Sequence, residues 1–210
     1  HGVFRRQRQM CIRDRVILTD CDGVLLQWEK AFHEWMLLNG FEQIGKGHYD
    51  IDMMYHLPQG FSKTLIKIFN ESAWMGYLEP VPGSVETVKK LAEEGYKFTV
   101  VTSQSTDAVA NKLRKRNLID HFGDVFEDFV FLDTGQGKKE ALSKWKSSNM
   151  FWIEDKPENA FTGATVGLVA LLLDLPHNAG YNSDNKLPVR RVMNWQERYN
   201  VIKEKKPGNT

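Results

Sequence analysis

The stretch Val16-Ile17-Leu18-Thr19-Asp20-Cys21-Asp22-Gly23-Val24-Leu25 constrains this chain more than any other. The apolar run Val16-Ile17-Leu18 reads as a short buried strand. It stops at two aspartates flanking one residue, and Gly23 then lets the backbone turn sharply. On a continuing strand Asp20 and Asp22 would share one face, but the strand is ending there. Two carboxylates at the carboxyl end of a parallel strand repel each other unless a cation sits between them. That end is also where open α/β sheets bind ligands. An ordinary strand followed by an Asp-Gly turn accounts for the same residues, so the rest of the chain has to decide.

Downstream, helical and strand patterns alternate. Residues 28–38 carry Trp28, Phe32, Trp35, Met36 and Leu38 close to helical spacing, ended by Asn39-Gly40. Residues 41–60 are turn-rich and include His48, Tyr49, Asp50 and His56, and residues 61–69 read as a second amphipathic helix. The interval 25–79 is therefore expected to be a mostly helical insertion, its aromatics forming a small core of their own more readily than a substrate box. Glu79-Pro80-Val81-Pro82-Gly83 marks a boundary. Ser84 is the expected N-cap of a helix stopped by Gly95. Residues 98–101 read as a second strand, ending in Thr102-Ser103-Gln104-Ser105. Residues 107–116 read as a helix whose basic side chains, Lys112, Arg114, Lys115 and Arg116, form a solvated face. Residues 129–132 are a third strand, followed by the turn Thr134-Gly135-Gln136-Gly137 and a helix opened by Lys138. Residues 150–153 are a fourth, ending at Glu154-Asp155, and residues 167–173 a fifth, ending at Asp174. Strands alternating with helices imply a parallel sheet with right-handed crossovers.

Composition narrows the class. With 41% hydrophobic and 26% charged residues the 210-residue chain is expected to be an ordinary soluble protein. No apolar run approaches the roughly 18 residues that span a bilayer, so no membrane partner is expected. The two cysteines, Cys11 and Cys21, make no disulfide framework, which fits a reducing cytoplasm. Cys21 reads as small hydrophobic packing. The net charge of +1 hides five arginines and one aspartate in residues 1–15, which leave −3 for the remainder. Without that basic tail the body has no cationic bias, so nucleic acid is not the leading partner. The tail lacks the apolar region of a signal peptide. Its run Met10-Cys11-Ile12-Arg13-Asp14-Arg15 resembles translated sequencing-adapter read-through, and the domain is expected to begin near Val16.

Four strand ends or helix starts thus carry polar groups able to converge: Asp20 with Asp22, Thr102, Lys138 and Asp155. Phosphoryl transfer needs a nucleophile, a cation shared with the phosphate, a hydroxyl or amide donor and a fixed positive charge. An aspartate can attack phosphorus and form an aspartyl-phosphate that water later cleaves. An oxygen-loving ion such as Mg²⁺ is held by few carboxylates plus phosphate oxygens and water.

In order, TDCDGVL, VVTSQ, the helix-opening Lys138 and WIEDKPENA resemble the four motifs of the haloacid dehalogenase superfamily, over nearly all of residues 16–175. The resemblance implies an α/β fold: a Rossmann-like parallel sheet with helices on both faces and a small helical cap inserted after the first strand. Residues 16–24 and 80–210 would form the core domain and 25–79 the cap. By the same resemblance Asp20 is nucleophile and metal ligand, and Asp22 is the general acid/base with its backbone carbonyl also on the metal. Thr102, with Ser103, binds phosphate, Lys138 neutralises it, and Asp155 completes a Mg²⁺ site. Glu154 departs from the paired-aspartate form and reads as support behind that site. Lys138 is preferred to Lys139 because Lys138 and Leu142 fit the helix register; both lysines merely solvating a helix start is the bland alternative.

The closing segment, LDLPHNAGYN followed by Pro188-Val189-Arg190-Arg191-Val192 and Asn194-Trp195, resembles the tail of the 5′(3′)-deoxyribonucleotidases, which hydrolyse nucleoside monophosphates. Their first helix presents an aromatic to the base, and Trp28 stands at the corresponding place; packing of cap on core explains Trp28 equally well. The implied substrate is a small phosphomonoester, a (deoxy)nucleoside monophosphate first. The alternatives are a sugar-phosphate phosphatase, a phosphatase of polynucleotide ends, and a binding protein that kept the fold and lost turnover. A homodimer is allowed for.

Overall fold

Strand β1 (Val16–Thr19) is buried along its whole length in the computed structural model of the chain, which describes residues 15–44, 50–180 and 189–204. The two-residue period of a strand sends Ile17 into one apolar layer and Val16 and Leu18 into the other. The same alternation recurs along β2 (Lys97–Thr102), where Phe98 and Val100 face one layer and Val101 the other. In β4 (Phe151–Glu154) it separates Phe151 and Ile153 from Trp152. Strands buried on both faces need helices on both faces, which parallel crossovers supply.

The sheet has six parallel strands in the order β3-β2-β1-β4-β5-β6, with β3 at Phe126–Phe131, β5 at Val169–Leu173 and β6 at Val189–Val192. In register Val16 lies opposite Lys97 on one side of β1, and Leu18 lies opposite Trp152 on the other. The order reverses direction at β1, so the crevice at its carboxyl end is the topological switch point of the sheet.

Between β1 and β2 the chain makes α1 (Trp28–Leu38), α2 (Ile51–Met54), α3 (Phe61–Asn70), a 3₁₀ turn (Ala73–Gly76) and α4 (Ser84–Glu93). The ends of the inserted helical region lie side by side: Gln27 N–H donates to Glu79 O and Val81 N–H to Leu25 O, each at 2.8 Å, and Leu26 bridges antiparallel to Pro80. Helices α5 (Ala108–Phe122), α6 (Lys139–Leu142), α7 (Pro157–Thr165) and α8 (Trp195–Glu204) complete the two layers.

Helices α1 and α3 follow the expected spacing closely, whereas α2 falls in the stretch expected to be turn-rich, where Asp50 caps it by accepting from the Asp52 and Met53 N–H groups. Other features differ from expectation too. Gly83, at φ +77°, takes the cap position expected for Ser84, whose buried hydroxyl turns to the Leu25 carbonyl at 3.4 Å. Strand β3 starts three residues early because it is a sheet edge, where Glu127 and Asp128 stay exposed and break the apolar run. The basic face of α5 is not wholly solvated: Lys112, Lys115 and Arg116 are exposed, but Arg114 is fully buried. Strand β6 and helix α8 were not anticipated. Trp195 pins α8 to the loop after β1 by donating its indole N–H to Val24 O at 3.0 Å. Residues 1–14 with Cys11, the pair His48 and Tyr49, and residues 181–188 of the closing segment lie outside the described residues. Arg15 joins the body, its carbonyl accepting from Lys97 N–H at 3.0 Å.

Candidate active site

The carboxyl ends of β1, β2 and β4 and the start of α6 converge on one cavity of about 1070 Å³, whose opposite wall comes from α1, α2 and α3. Asp20 follows β1 directly, its N–H still donating to Ile153 O at 2.8 Å, so the sheet itself holds its position. One carboxylate oxygen accepts from Cys21 N–H at 2.7 Å. The other meets Lys138 Nζ at 2.7 Å, and the same ammonium reaches Glu154 Oε2 at 2.9 Å. Lys138 is thus the lysine brought to the cluster, whereas Lys139 is exposed. Burial alone would lower the pKa of Lys138, but the charges of Asp20 and Glu154 win and hold it above its ordinary value. A fixed positive charge is thereby held beside Asp20, able to stabilise negative charge on a group bound there.

Glu154 is buried completely; its second oxygen accepts from the N–H groups of Asp155 and Lys156 at 3.2 and 3.1 Å. It therefore braces the lysine and the turn into α7. Asp155 is held from behind, its carbonyl accepting from Asn178 Nδ2 at 2.7 Å, with His177 Nε2 3.4 Å from its Oδ2. Burial and the charge of Asp20 push the pKa of both Glu154 and Asp155 upward.

Asp20, Glu154 and Asp155 can each offer an oxygen within 4.8 Å of the others, and Asp155 Oδ1 is buried without a hydrogen-bond partner. Three buried carboxylates against one ammonium, with an oxygen left unsatisfied, fit a hard divalent cation such as Mg²⁺. The carboxylate of Asp22 is not in that group. Gly23 makes the close approach possible, with φ +71° and Asp155 against the face where a side chain would stand.

Thr102 ends β2, buried, with its hydroxyl oxygen unpartnered. Ser103 lines the cavity but donates its hydroxyl to Gln136 O at 2.7 Å, tying the loop after β2 to the loop after β3. Asp22 lines the cavity too, and its carboxylate is bonded to Arg114. Burial raises the pKa of Asp22, opposed by Arg114 and reinforced by Asp20. Burial pushes the Cys21 thiol up to about 12, so it stays protonated and packs, as expected of a small apolar residue.

Trp28 does two things at once. It lines the cavity, and it belongs to a ring cluster, stacked on Phe32 at 4.9 Å and edge-on to Phe69 at 5.6 Å. Its indole N–H donates to Asn70 Oδ1 at 2.8 Å. Asn70 in turn donates to Gln104 O at 2.8 Å, so a buried chain of bonds links the aromatic wall to the Thr102-Ser103-Gln104 loop. Sequence reasoning missed Asn70, Arg114, His177 and Asn178, since no local pattern marks a polar residue whose partner lies on another element.

The profile of the haloacid dehalogenase-like hydrolases matches residues 17–139, more than half of the chain. The chain belongs to that family. No curated protein matches it. Solved structures of this fold resemble this haloacid dehalogenase-like hydrolase over nearly its whole length. A haloacid dehalogenase-superfamily hydrolase from Ehrlichia chaffeensis is 13% identical, with TM-score 0.51, covering 91% of this chain and 97% of that one. A D,D-heptose bisphosphate phosphatase from B. bronchiseptica, complexed with magnesium and phosphate, is 12% identical, with TM-score 0.59 and coverage of 91% and 99%. A predicted phosphatase from Clostridium acetobutylicum is 17% identical, with TM-score 0.59 and coverage of 90% and 98%. At these identities the likeness establishes fold. The buried carboxylate cluster adds a candidate divalent-metal centre of the kind such hydrolases use.

Proposed function

We propose that this hydrolase is a Mg²⁺-dependent phosphomonoesterase acting on a small metabolite, a (deoxy)nucleoside monophosphate first, through an aspartyl-phosphate. The observation that carries the reading is the junction of Asp20, Lys138 and the unpartnered Thr102 hydroxyl under an aromatic wall. Residues 25–79 serve as the cap over a core of 16–24 and 80–210. Asp20 and Asp155 would hold the ion, with Glu154 behind them, and bound there it would neutralise phosphate charge. A carboxylate oxygen of Asp20 attacks phosphorus, and the bond from phosphorus to the ester oxygen breaks. Asp22 gives a proton to the departing alcohol. Asp22 then takes a proton from the water that attacks the phosphorus of the aspartyl-phosphate, freeing phosphate and regenerating Asp20. Lys138 and Thr102 hold the non-bridging oxygens throughout.

Trp28, backed by the buried Phe32, supplies the apolar face on which a nucleobase could stack, a contact worth about 1–3 kcal/mol at comparable sites. A sugar-phosphate substrate is the second reading, favoured by the likeness to the heptose bisphosphate phosphatase. The test is a panel of nucleoside monophosphates, sugar phosphates and p-nitrophenyl phosphate, assayed in Mg²⁺ and in EDTA with wild type and Trp28→Ala. The nucleotide reading expects KM to rise for nucleotides far more than for p-nitrophenyl phosphate, with kcat largely kept. An equal loss on every substrate removes the nucleotide and keeps the phosphatase. Full turnover in excess EDTA removes the metal-dependent chemistry.

A further inference from the structure

Arg114 stands on α5, among residues that face water, yet its own side chain is completely buried. Its guanidinium reaches the Asp22 carboxylate across the loop after β1. The nitrogen that bonds Asp22 also lies 3.1 Å from Cys21 Sγ, and the other terminal nitrogen lies 2.8 Å from Met75 Sδ in the turn that closes the insertion. Its Nε has no hydrogen-bond partner. Burying a guanidinium costs several kcal/mol, and well-packed apolar residues commonly replace a buried ion pair without loss of stability. Stability is therefore a poor explanation for this arginine, whose rigid fork is suited to fixing a carboxylate in one orientation.

Asp22 needs such fixing. It sits three residues beyond the end of β1, in a loop where Val24, Leu25 and Leu26 N–H groups all bond to Cys21 O, so the main chain there is set. The side chain is not: about a quarter of it is exposed, and it faces the cavity. A proton-transferring group has to be held to within ~0.5 Å and 10–20° of its working geometry.

We propose that Arg114 is a positioning residue for the proton transfer made by Asp22, holding one carboxylate oxygen so that the other is presented to the leaving group. This rests on the role of Asp22 given above. Arg114 touches neither substrate nor phosphorus and acts only through Asp22. Because its other end rests on Met75, it also ties Asp22 to the turn by which the insertion returns to the sheet.

A double-mutant cycle tests the assignment, with Arg114→Met, which keeps the apolar stem, and Asp22→Asn, alone and together. Thermal melting verifies folding, and steady-state kinetics are read on p-nitrophenyl phosphate and on phenyl phosphate, the poorer leaving group. Folded Arg114→Met is expected to lose roughly 10–100-fold in kcat, the scale of a 1 Å misplacement, with KM little changed. The loss should be larger on phenyl phosphate. In the Asp22→Asn background the same change should cost less than about 2-fold, since the group it acts on is gone. Should Arg114→Met fail to fold, Arg114→Lys, which keeps a charge without the fork, carries the same comparison. Full kcat in a folded Arg114 variant, or the same loss with and without Asp22, overturns the inference while leaving Asp22 its role. If Asp22→Asn alone keeps full kcat, the role of Asp22 falls and this inference falls with it.

Discussion

At Gly23 the backbone has φ +71°, and a Cβ there would stand 2.3 Å from Asp155 Oδ2 and 2.8 Å from its Cγ. Gly23→Ala therefore combines two costs that can be separated. The left-handed backbone costs an L-residue roughly 1–2 kcal/mol, reduced by about 0.4–1 kcal/mol because alanine has fewer unfolded conformations to lose. At about 2–4 °C per kcal/mol for a chain of this size, Tm should fall by only a few degrees. The second cost falls on the site: Asp155 has to retreat by roughly 1 Å to reach ordinary contact distance, carrying an oxygen of the carboxylate cluster with it. A displacement of that size is worth about 10²-fold in rate. Gly40→Ala is the matched control, with φ +82° and nothing within 4 Å of the added carbon. Both variants should melt a few degrees early in differential scanning fluorimetry. Only Gly23→Ala should lose its turnover of p-nitrophenyl phosphate and its rise in Tm on adding Mg²⁺. If the two variants keep the same activity, close approach to Asp155 is not why glycine stands at position 23.

The other expectations can be checked with similar means. Asp20→Asn should abolish turnover while the protein still folds, because an amide cannot act as the nucleophile; residual rates near wild type would refute that role. Lys138→Met leaves Asp20 and Glu154 buried without their shared cation, and should cost about 3–5 kcal/mol in EDTA, read by urea unfolding. Burial raises the pKa of Asp22, Glu154 and Asp155 above their ordinary 3.8, 4.5 and 3.8. The unfolded chain then gives up these protons first as pH rises above about 4, so the metal-free cluster loses stability from there toward neutrality. The gain in Tm from Mg²⁺ should accordingly grow between pH 5 and pH 7.5, and a flat gain would contradict it. Cys21 ordinarily ionises near 9 but is held up to about 12 by burial, so peptide mapping should find it unlabelled by iodoacetamide at pH 8 unless the chain is unfolded.

How much of this was legible in the chain depended on the reach of each signal. The apolar run that makes β1 and the turn chemistry at Asp-Gly are local, and they singled out Asp20, Asp22 and Gly23 before any contact was known. Lys138 over Lys139 was likewise a matter of helix register, and the structure sets the Lys138 ammonium between Asp20 and Glu154. The basic run at 112–116 misled because composition alone reads such a run as solvated, whereas one residue of it turns inward to Asp22. The link from Trp28 through Asn70 to Gln104 joins three separate elements, and only their packing creates it. The edge strand β3 hid its first residues for the opposite reason, since exposure removed the apolar pattern that marks a strand.

The central place of β1 has a consequence for how the chain is made. Its neighbours in the sheet come much later in the chain, Lys97 opposite Val16 on one side and Trp152 opposite Leu18 on the other. Synthesis at ~5–20 residues per second leaves this strand without a partner for several seconds after it leaves the ribosome. The helices that follow it rely on local contacts and can form in that interval. A Val-Ile-Leu segment waiting in that way is a ready partner for other nascent chains and a natural target for a chaperone that shields apolar strands. The strand that leads into Asp20 is thus synthesised well before either of its sheet partners and waits for both to be enclosed.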